Sequence, residues 1–242
     1  GKKVGLLSLI IPCYNEETTF QEILSRVVDS LQKNIQSSEI IIVDDCSSDN
    51  TLKLIDEFVQ NHQDSVFKVI QSDQNQGKGA AIRRGIPHLE GDFVIIQDAD
   101  LEYDPADYTD LLGPIKKADA DIVYGSRFIG SKPHRVLLIW HYFGNKFLTF
   151  LSNVFSNLNL TDIEVGFKVF RVSVLKQLHL KENGFGFEPE VTAKISRIPS
   201  IKIYEVGISY YGRSYDEGKK ITWKDGIKAI YYILKYNLFT KS

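Results

Sequence analysis

The 242-residue sequence has no methionine, two cysteines and no uninterrupted apolar run long enough to cross a bilayer. Cys13 and Cys46 sit in strand-like or loop-start contexts, and no secretory signal is legible, so a disulfide framework is not expected. Positive charge is not in surplus either. Against 31 Asp and Glu stand 29 Lys and Arg, a formal net charge of −2. Without a long basic block the chain lacks the footprint of a nucleic-acid binder. Also missing is a GxGxxG after the first apolar run, and Gly77, Lys78 and Gly79 fit neither that fingerprint nor a Walker loop. Dinucleotide and P-loop readings lose their main support. No repeat and no linker-like composition divides the chain. Residues 1–3 are set aside, and the expectation is a protein of a reducing, cytoplasmic setting with no transmembrane span.

What is present is an alternation. Short apolar runs at 6–12, 39–45, 66–72, 92–100 and 121–127 are separated by helical patterns at 17–34, 50–62, 78–89 and 105–118. Runs that are apolar throughout predict strands covered on both faces. Strand then helix, repeated, predicts a single α/β domain: a Rossmann-like, mostly parallel central sheet with helices on both faces. After residue 130 the texture changes. Residues 135–158 and the C-terminal "ITWKDGIKAIYYILKYNLF" read as aromatic-rich helices. Either they pack on the sheet or they lie on a bilayer surface, and the two readings are compatible.

Chemistry belongs at the carboxyl ends of the strands, where open parallel sheets bind their ligands. The first ends in "IIPCYNEE", the second in "IVDDCSSDNT", the fourth in "QDADLE" and the fifth in "YGSRF". Asp98, Asp100, Glu102 and Asp104 come at alternate positions, and an extended backbone puts them on one face. Like charges that close repel unless a cation, or a separate local duty for each, relieves them. Asp104 before Pro105 reads as a helix cap, which leaves Asp98, Asp100 and Glu102 for a ligand and a hard divalent ion such as Mg2+ or Mn2+. A nucleotide diphosphate suits this set: an aromatic packs on the base, an Asp accepts from base N–H groups, and the ion neutralises the phosphates.

The ordered motifs "IIPCYNEE", "IVDDCSSDNT", "QGKGAAIRRG", "DADLE" and "GSRF" resemble the nucleotide-binding half of the inverting family 2 glycosyltransferases of GT-A fold. The later "TDIEVGFKVFR", "NGFGFEPEVTAKI" and "YEVGISYYGRSYDEGKK" resemble their dolichol-phosphate mannose or glucose synthase branch. The resemblance covers almost the whole chain. It implies a nucleotide-sugar-binding half, 4–130, and an acceptor-binding half, 131–242, within one domain. Pro12, Tyr14 and Glu16 are then expected to border the nucleotide, Val43 and Asp45 to read the base, and Asp44 to be structural. Asp98 lies near ribose or metal, Ala99 allows close approach, Asp100 is the chief metal ligand and Glu102 completes its shell, although the family often has Gln there. Lys78 either steers the diphosphate or is an exposed lysine on a tight turn.

The implied reaction is metal-dependent transfer of a hexose, with inversion, from a GDP-mannose or UDP-glucose type donor to a polyprenyl phosphate, with peripheral contact at the inner face of the membrane. An acceptor phosphate is already anionic and needs holding more than a base. Candidates to hold it are Arg127, Arg135, His141, Arg213 and Lys219, the last two in a segment that Gly212 and Gly218 bracket as a lid. A hydroxyl acceptor would instead need a general base, Glu188 or Asp162. Glu188 before Pro189 also reads as a residue at a helix start, with Glu190 in the first turn. A non-catalytic nucleotide-sugar-binding partner protein is the reading from another class.

Overall fold

A computed structural model describes residues 4–136, 139–213 and 223–240. Strand β1 (Leu7–Cys13) and strand β2 (Ser38–Asp44) pair in parallel; every residue of β1 is buried. Helix α1 (Phe20–Asn34) joins them, burying Phe20, Ile23, Leu24, Val27, Val28 and Leu31. That i, i+3, i+4, i+7 spacing is one helix face, and each such side chain removed from water contributes roughly 1.5–3 kcal/mol. Helix α2 (Thr51–Asn61) leads to β3 (Val66–Gln71) and α3 (Lys78–Gly85) to β4 (Phe93–Ile96). A short 3-10 turn then opens at Pro105, capped by Asp104, whose Oδ1 accepts from the Ala106 N–H at 3.0 Å. The short helices α4 (Tyr108–Leu111) and α5 (Gly113–Ala118) precede β5 (Ile122–Ser126).

The second half adds α6 (Ile139–Ser156), β6 (Lys168–Arg171), α7 (Val172–Gln177), α8 (Phe187–Ile195), β7 (Ile203–Gly207) and α9 (Trp223–Leu234), which runs on as a π-turn over Lys235–Phe239. The sheet order is β3-β2-β1-β4-β6-β5-β7. All pairings are parallel except those of β6, which runs antiparallel between β4 and β5. The expected α/β architecture is therefore what forms. β3 departs from its expected covering on both faces: as an edge strand it leaves Val66 and Val69 exposed, and Lys68 on it pairs with Glu39 at 2.9 Å.

Two consequences place the site. Strand order reverses between β1 and β4, which opens a crevice at their carboxyl ends. Because β6 runs the other way, its beginning rather than its end lies at that crevice: Lys168 pairs in register with Ile96 and Tyr124. The residues that lead into β6 are thereby carried to the ends of the parallel strands.

Candidate active site

A cavity of about 1230 Å³ opens at this end of the sheet. Pro12, Tyr14, Glu16 and Asp45 line it. Asp45 follows β2, and its Oδ2 accepts from the backbone N–H groups of Gln76 and Gly77 at 3.0 and 2.6 Å. Gly77 makes this turn with φ of 101°, and a Cβ there would stand 2.7 Å from the Asn183 carbonyl. Only glycine suits that backbone without strain. The other carboxylate oxygen of Asp45, Oδ1, is buried without a partner. Asp44 faces inward and accepts from the Ser47 N–H at 3.1 Å. Val43 is fully buried in the sheet and does not line the cavity.

The acidic stretch after β4 is not an extended ribbon. The strand ends at Ile96, and the chain bends, in part because Asp100 Oδ1 accepts from the Glu102 N–H two residues on at 3.1 Å. Asp98, Ala99, Asp100 and Glu102 still face one cavity. Each acid has a cation. Lys78 meets Asp98 at 2.6 Å, and Arg213 reaches Asp100 at 2.8 Å and Glu102 at 3.3 Å. Burial, and then the charges of Asp98 and Glu102, push the Asp100 carboxyl up to about 7 despite Arg213. Asp98 at Lys78 raises that amine's affinity for its proton although burial opposes it.

Among the described residues no three His, Cys, Asp or Glu side chains form a ready-made metal cage. The donor set nonetheless fits Mg2+ or Mn2+. Such ions take one or two carboxylates and leave the remaining positions to phosphate oxygens and water. A buried carboxylate crowded by two others is a group that gains most from a cation.

Arg127 also lines the cavity; its guanidinium grips Asp162 with Nε and Nη2 both at 2.7 Å and lies over the Tyr210 ring. Asp162 is fully buried. Both of its oxygens are engaged by a permanent cation. Arg135 donates to the Gly212 carbonyl at 3.0 Å, and with His141 it lines the cavity. Gly218 and Lys219 lie outside the described residues, so only Gly212 and Arg213 of the expected lid are placed.

Glu188 also lines the cavity, in the first turn of α8, and is ion-paired with Lys168. Glu190 of the same turn is fully buried and accepts from the N–H groups of Lys181 and Glu182, a structural duty. Lys168 is itself fully buried, with Nζ also donating to the Val165 carbonyl, and burial holds its pKa below the ordinary lysine value while Glu188 opposes that. The sequence reading missed Lys168 and Glu164 as site residues. A lysine inside the apolar "GFKVF" was the available signal, since a charge in a buried strand implies a partner.

The chain matches Glycosyl transferase family 2 over residues 8–179. It is 30% identical over 246 residues to the UDP-N-acetylglucosamine–dolichyl-phosphate N-acetylglucosaminyltransferase of Methanococcus voltae, covering 95% of each chain. It is 30% identical over 223 residues to the dolichyl-phosphate beta-glucosyltransferase of Dictyostelium discoideum, covering 84% of this chain and 66% of that one. The dodecaprenyl-phosphate galacturonate synthase of Rhizobium johnstonii is 26% identical over 213 residues, 88% of this chain and 61% of that protein. The chain thus spans less than two thirds of the length of the last two. In fold it is similar to the crystal structure of M. tuberculosis glucosyl-3-phosphoglycerate synthase, with TM-score 0.70, 20% identity and coverage of 98% of this chain and 82% of that one. The same enzyme has been crystallised with Mn2+, UDP and phosphoglyceric acid. With the family match over most of its length, the chain belongs to glycosyl transferase family 2.

Proposed function

We propose that the protein transfers a hexose from a nucleotide-diphosphate sugar to a polyprenyl phosphate, with inversion, at a membrane surface. The observation that carries this reading is that one cavity is lined by three acids, the unpaired oxygen of Asp45 and the basic side chains of Lys78, Arg127 and Arg213. Asp45 Oδ1 is an acceptor for a base N–H, and Tyr14, partly exposed at 37%, offers a face to the base. Asp98, Asp100 and Glu102 would hold Mg2+ or Mn2+, which supplies Lewis-acid stabilisation of the charge on the departing diphosphate. Lys78 and Arg213 add fixed positive charge where that negative charge develops. Arg127, locked by Asp162, presents a preorganised site for the acceptor phosphate, whose oxygen attacks the far side of the anomeric carbon. The relatives named for dolichyl-phosphate transfer support that acceptor class.

The cavity opens beside α6, where Ile139 and Trp140 line its rim. Trp140, Phe143, Phe147, Phe150 and Val154 continue outward as one exposed stripe, with exposures of 54–79%. No described helix is long and apolar enough to cross a membrane. An exposed aromatic stripe leading to an anion-binding cavity suits a lipid-linked acceptor whose chain stays in the bilayer surface.

The hydroxyl-acceptor alternative needs a base. Its candidates are Asp162, held by Arg127, and Glu188, held by the buried Lys168. Each is already engaged by a cation, a partner that a base-dependent reaction would have to displace. The decisive experiment offers UDP- and GDP-sugars with Mg2+ or Mn2+, with EDTA controls, to short polyprenyl phosphates and to simple sugars or glycerol. Transfer to the lipid phosphate, lost with EDTA, is expected, with Glu188→Gln retaining most of the rate. Transfer to hydroxyls only, with a fall of roughly 10² or more in Glu188→Gln, would overturn the proposal. No turnover of any donor would restore the non-catalytic reading.

A further inference from the structure

On the approach to β6, Glu164 and Gly166 line the cavity, and Asp162 before them is fully buried. Asp162 anchors Arg127, the proposed acceptor site. Gly166 abuts the proposed donor site so closely that a Cβ would stand 2.5 Å from Asp98 Oδ2 and 2.8 Å from Lys78 Nζ. Along the chain Glu164 thus stands between the residue that anchors Arg127 and the one that abuts Asp98 and Lys78, in the cavity where a sugar passing from diphosphate to acceptor is held.

Glu164 differs from the other acids here. Asp98 is paired with Lys78, Asp100 and Glu102 with Arg213, Asp162 with Arg127 and Glu188 with Lys168. Glu164 makes no ion pair among the described residues, and its Oε1 is buried with no hydrogen-bond partner. An unsatisfied carboxylate oxygen away from water costs on the order of 1–3 kcal/mol, so its retention calls for a partner that arrives from outside. The terminal carboxyl torsion is soft, and turning it presents either oxygen to the cavity.

We propose that Glu164 binds hydroxyl groups of the sugar being transferred and thereby sets which sugar is accepted. This rests on the nucleotide-sugar reading above. Cations and metal ions are matched to phosphates; a carboxyl with no cation of its own is matched to neutral hydroxyls, which donate to it. Burial and the nearby charge of Glu188 push this carboxyl up to about 7, so near neutrality it can donate a hydrogen bond as well as accept one. A site that hydrogen-bonds a particular hydroxyl discriminates strongly, because a sugar lacking it leaves the buried group unpaired.

The test compares the parent with Glu164→Ala and Glu164→Gln, in the presence of Mg2+. Titrations use UDP, GDP, UDP-glucose, UDP-N-acetylglucosamine and GDP-mannose, and turnover is measured with the best of these donors and its singly deoxygenated forms. Binding of the bare diphosphate is expected to stay within about twofold, while kcat/KM for the sugar nucleotide falls roughly tenfold or more in Glu164→Ala. One deoxy donor should lose the same factor with the parent and nothing further with the variant. Glu164→Gln should fold with a Tm no lower than the parent's and show an altered ranking of the sugars. If diphosphate and sugar nucleotide weaken alike, or if no deoxy donor couples to the substitution, the assignment is overturned while the proposed function stands. If the parent binds neither nucleotides nor sugar nucleotides, both fall together.

Discussion

Burial gives the carboxyls of this site their character. Asp100 and Glu164 are both pushed up to about 7, the first chiefly by burial and then by Asp98, the second by burial and then by Glu188. A group whose folded pKa exceeds its unfolded one adds stability below the unfolded value, near 4 for these acids, and loses it as pH rises through the folded value. Without metal or nucleotide, the Tm of the parent is therefore expected to fall from pH 5 to pH 8. Thermal scans of Asp100→Asn and Glu164→Gln should each show a flatter profile over that window, since the amide cannot ionise. Equal slopes for parent and both variants would show that these carboxyls do not titrate there. At this scale the sequence was partly legible. Acids in the order "DADLE" and Asp45 in "IVDDCSS" are visible as chemistry because carboxylates cluster there against repulsion. Whether a given carboxyl has a cation beside it depends on residues far along the chain: Asp98 with Lys78, Asp100 with Arg213, Asp162 with Arg127. No local pattern reveals that Glu164, like Asp45, makes no ion pair among the described residues.

Elements were legible where their period was clean. The strands β1, β2 and β5 and the helices α1 and α2 lie within two or three residues of the ranges read from apolar runs and caps. The four-residue β6 was not foreseen, because a short apolar run with a central lysine carries no mark of direction or of strand order. The acidic stretch shares one face if it stays extended, and a side-chain turn at Asp100 bends it instead. For α6 the sequence left packing and membrane contact both open, and its inner face, with Thr149, Ser152 and Ser156 buried, coexists with an aromatic outer face. Small residues inward let α6 sit close to the protein and turn its bulk outward. Phe147 and Phe150, exposed at 54% and 64%, are away from the cavity wall and serve to test the outer face. Replacing either with Glu is expected to weaken binding to vesicles containing anionic lipid by roughly tenfold, about 1.4 kcal/mol, since an inserted Phe side chain removes that much apolar area from water. Turnover of a short, water-soluble polyprenyl phosphate should stay within about twofold. Unchanged vesicle binding in both variants would remove α6 from the membrane contact.

Across the whole molecule the two halves meet at the acids. The segment after β7 returns over the sheet: Tyr210 bridges to Tyr103, the Tyr211 N–H donates to the Glu102 carbonyl at 2.9 Å, and Arg213 ends on Asp100 and Glu102. A guanidinium from the second half thus neutralises carboxylates of the first in the place where a divalent ion is proposed to bind. The guanidinium and a divalent ion draw on the same negative charge and repel each other at that distance. Arg213 is therefore expected to compete with the ion until a nucleotide diphosphate arrives, whose charge then gives the guanidinium a second anion to hold. Removing it should separate the two duties. In Arg213→Ala, Mn2+ alone is expected to bind on the order of tenfold tighter than to the parent, read by calorimetry or by the paramagnetic effect of the ion. Transfer should meanwhile fall, because the fixed charge that meets the diphosphate is gone. Arg213→Lys, which keeps the charge but not the forked geometry, should lie between the two. Weaker Mn2+ binding in Arg213→Ala would mean that the guanidinium orders the acids for the ion instead of standing in its place.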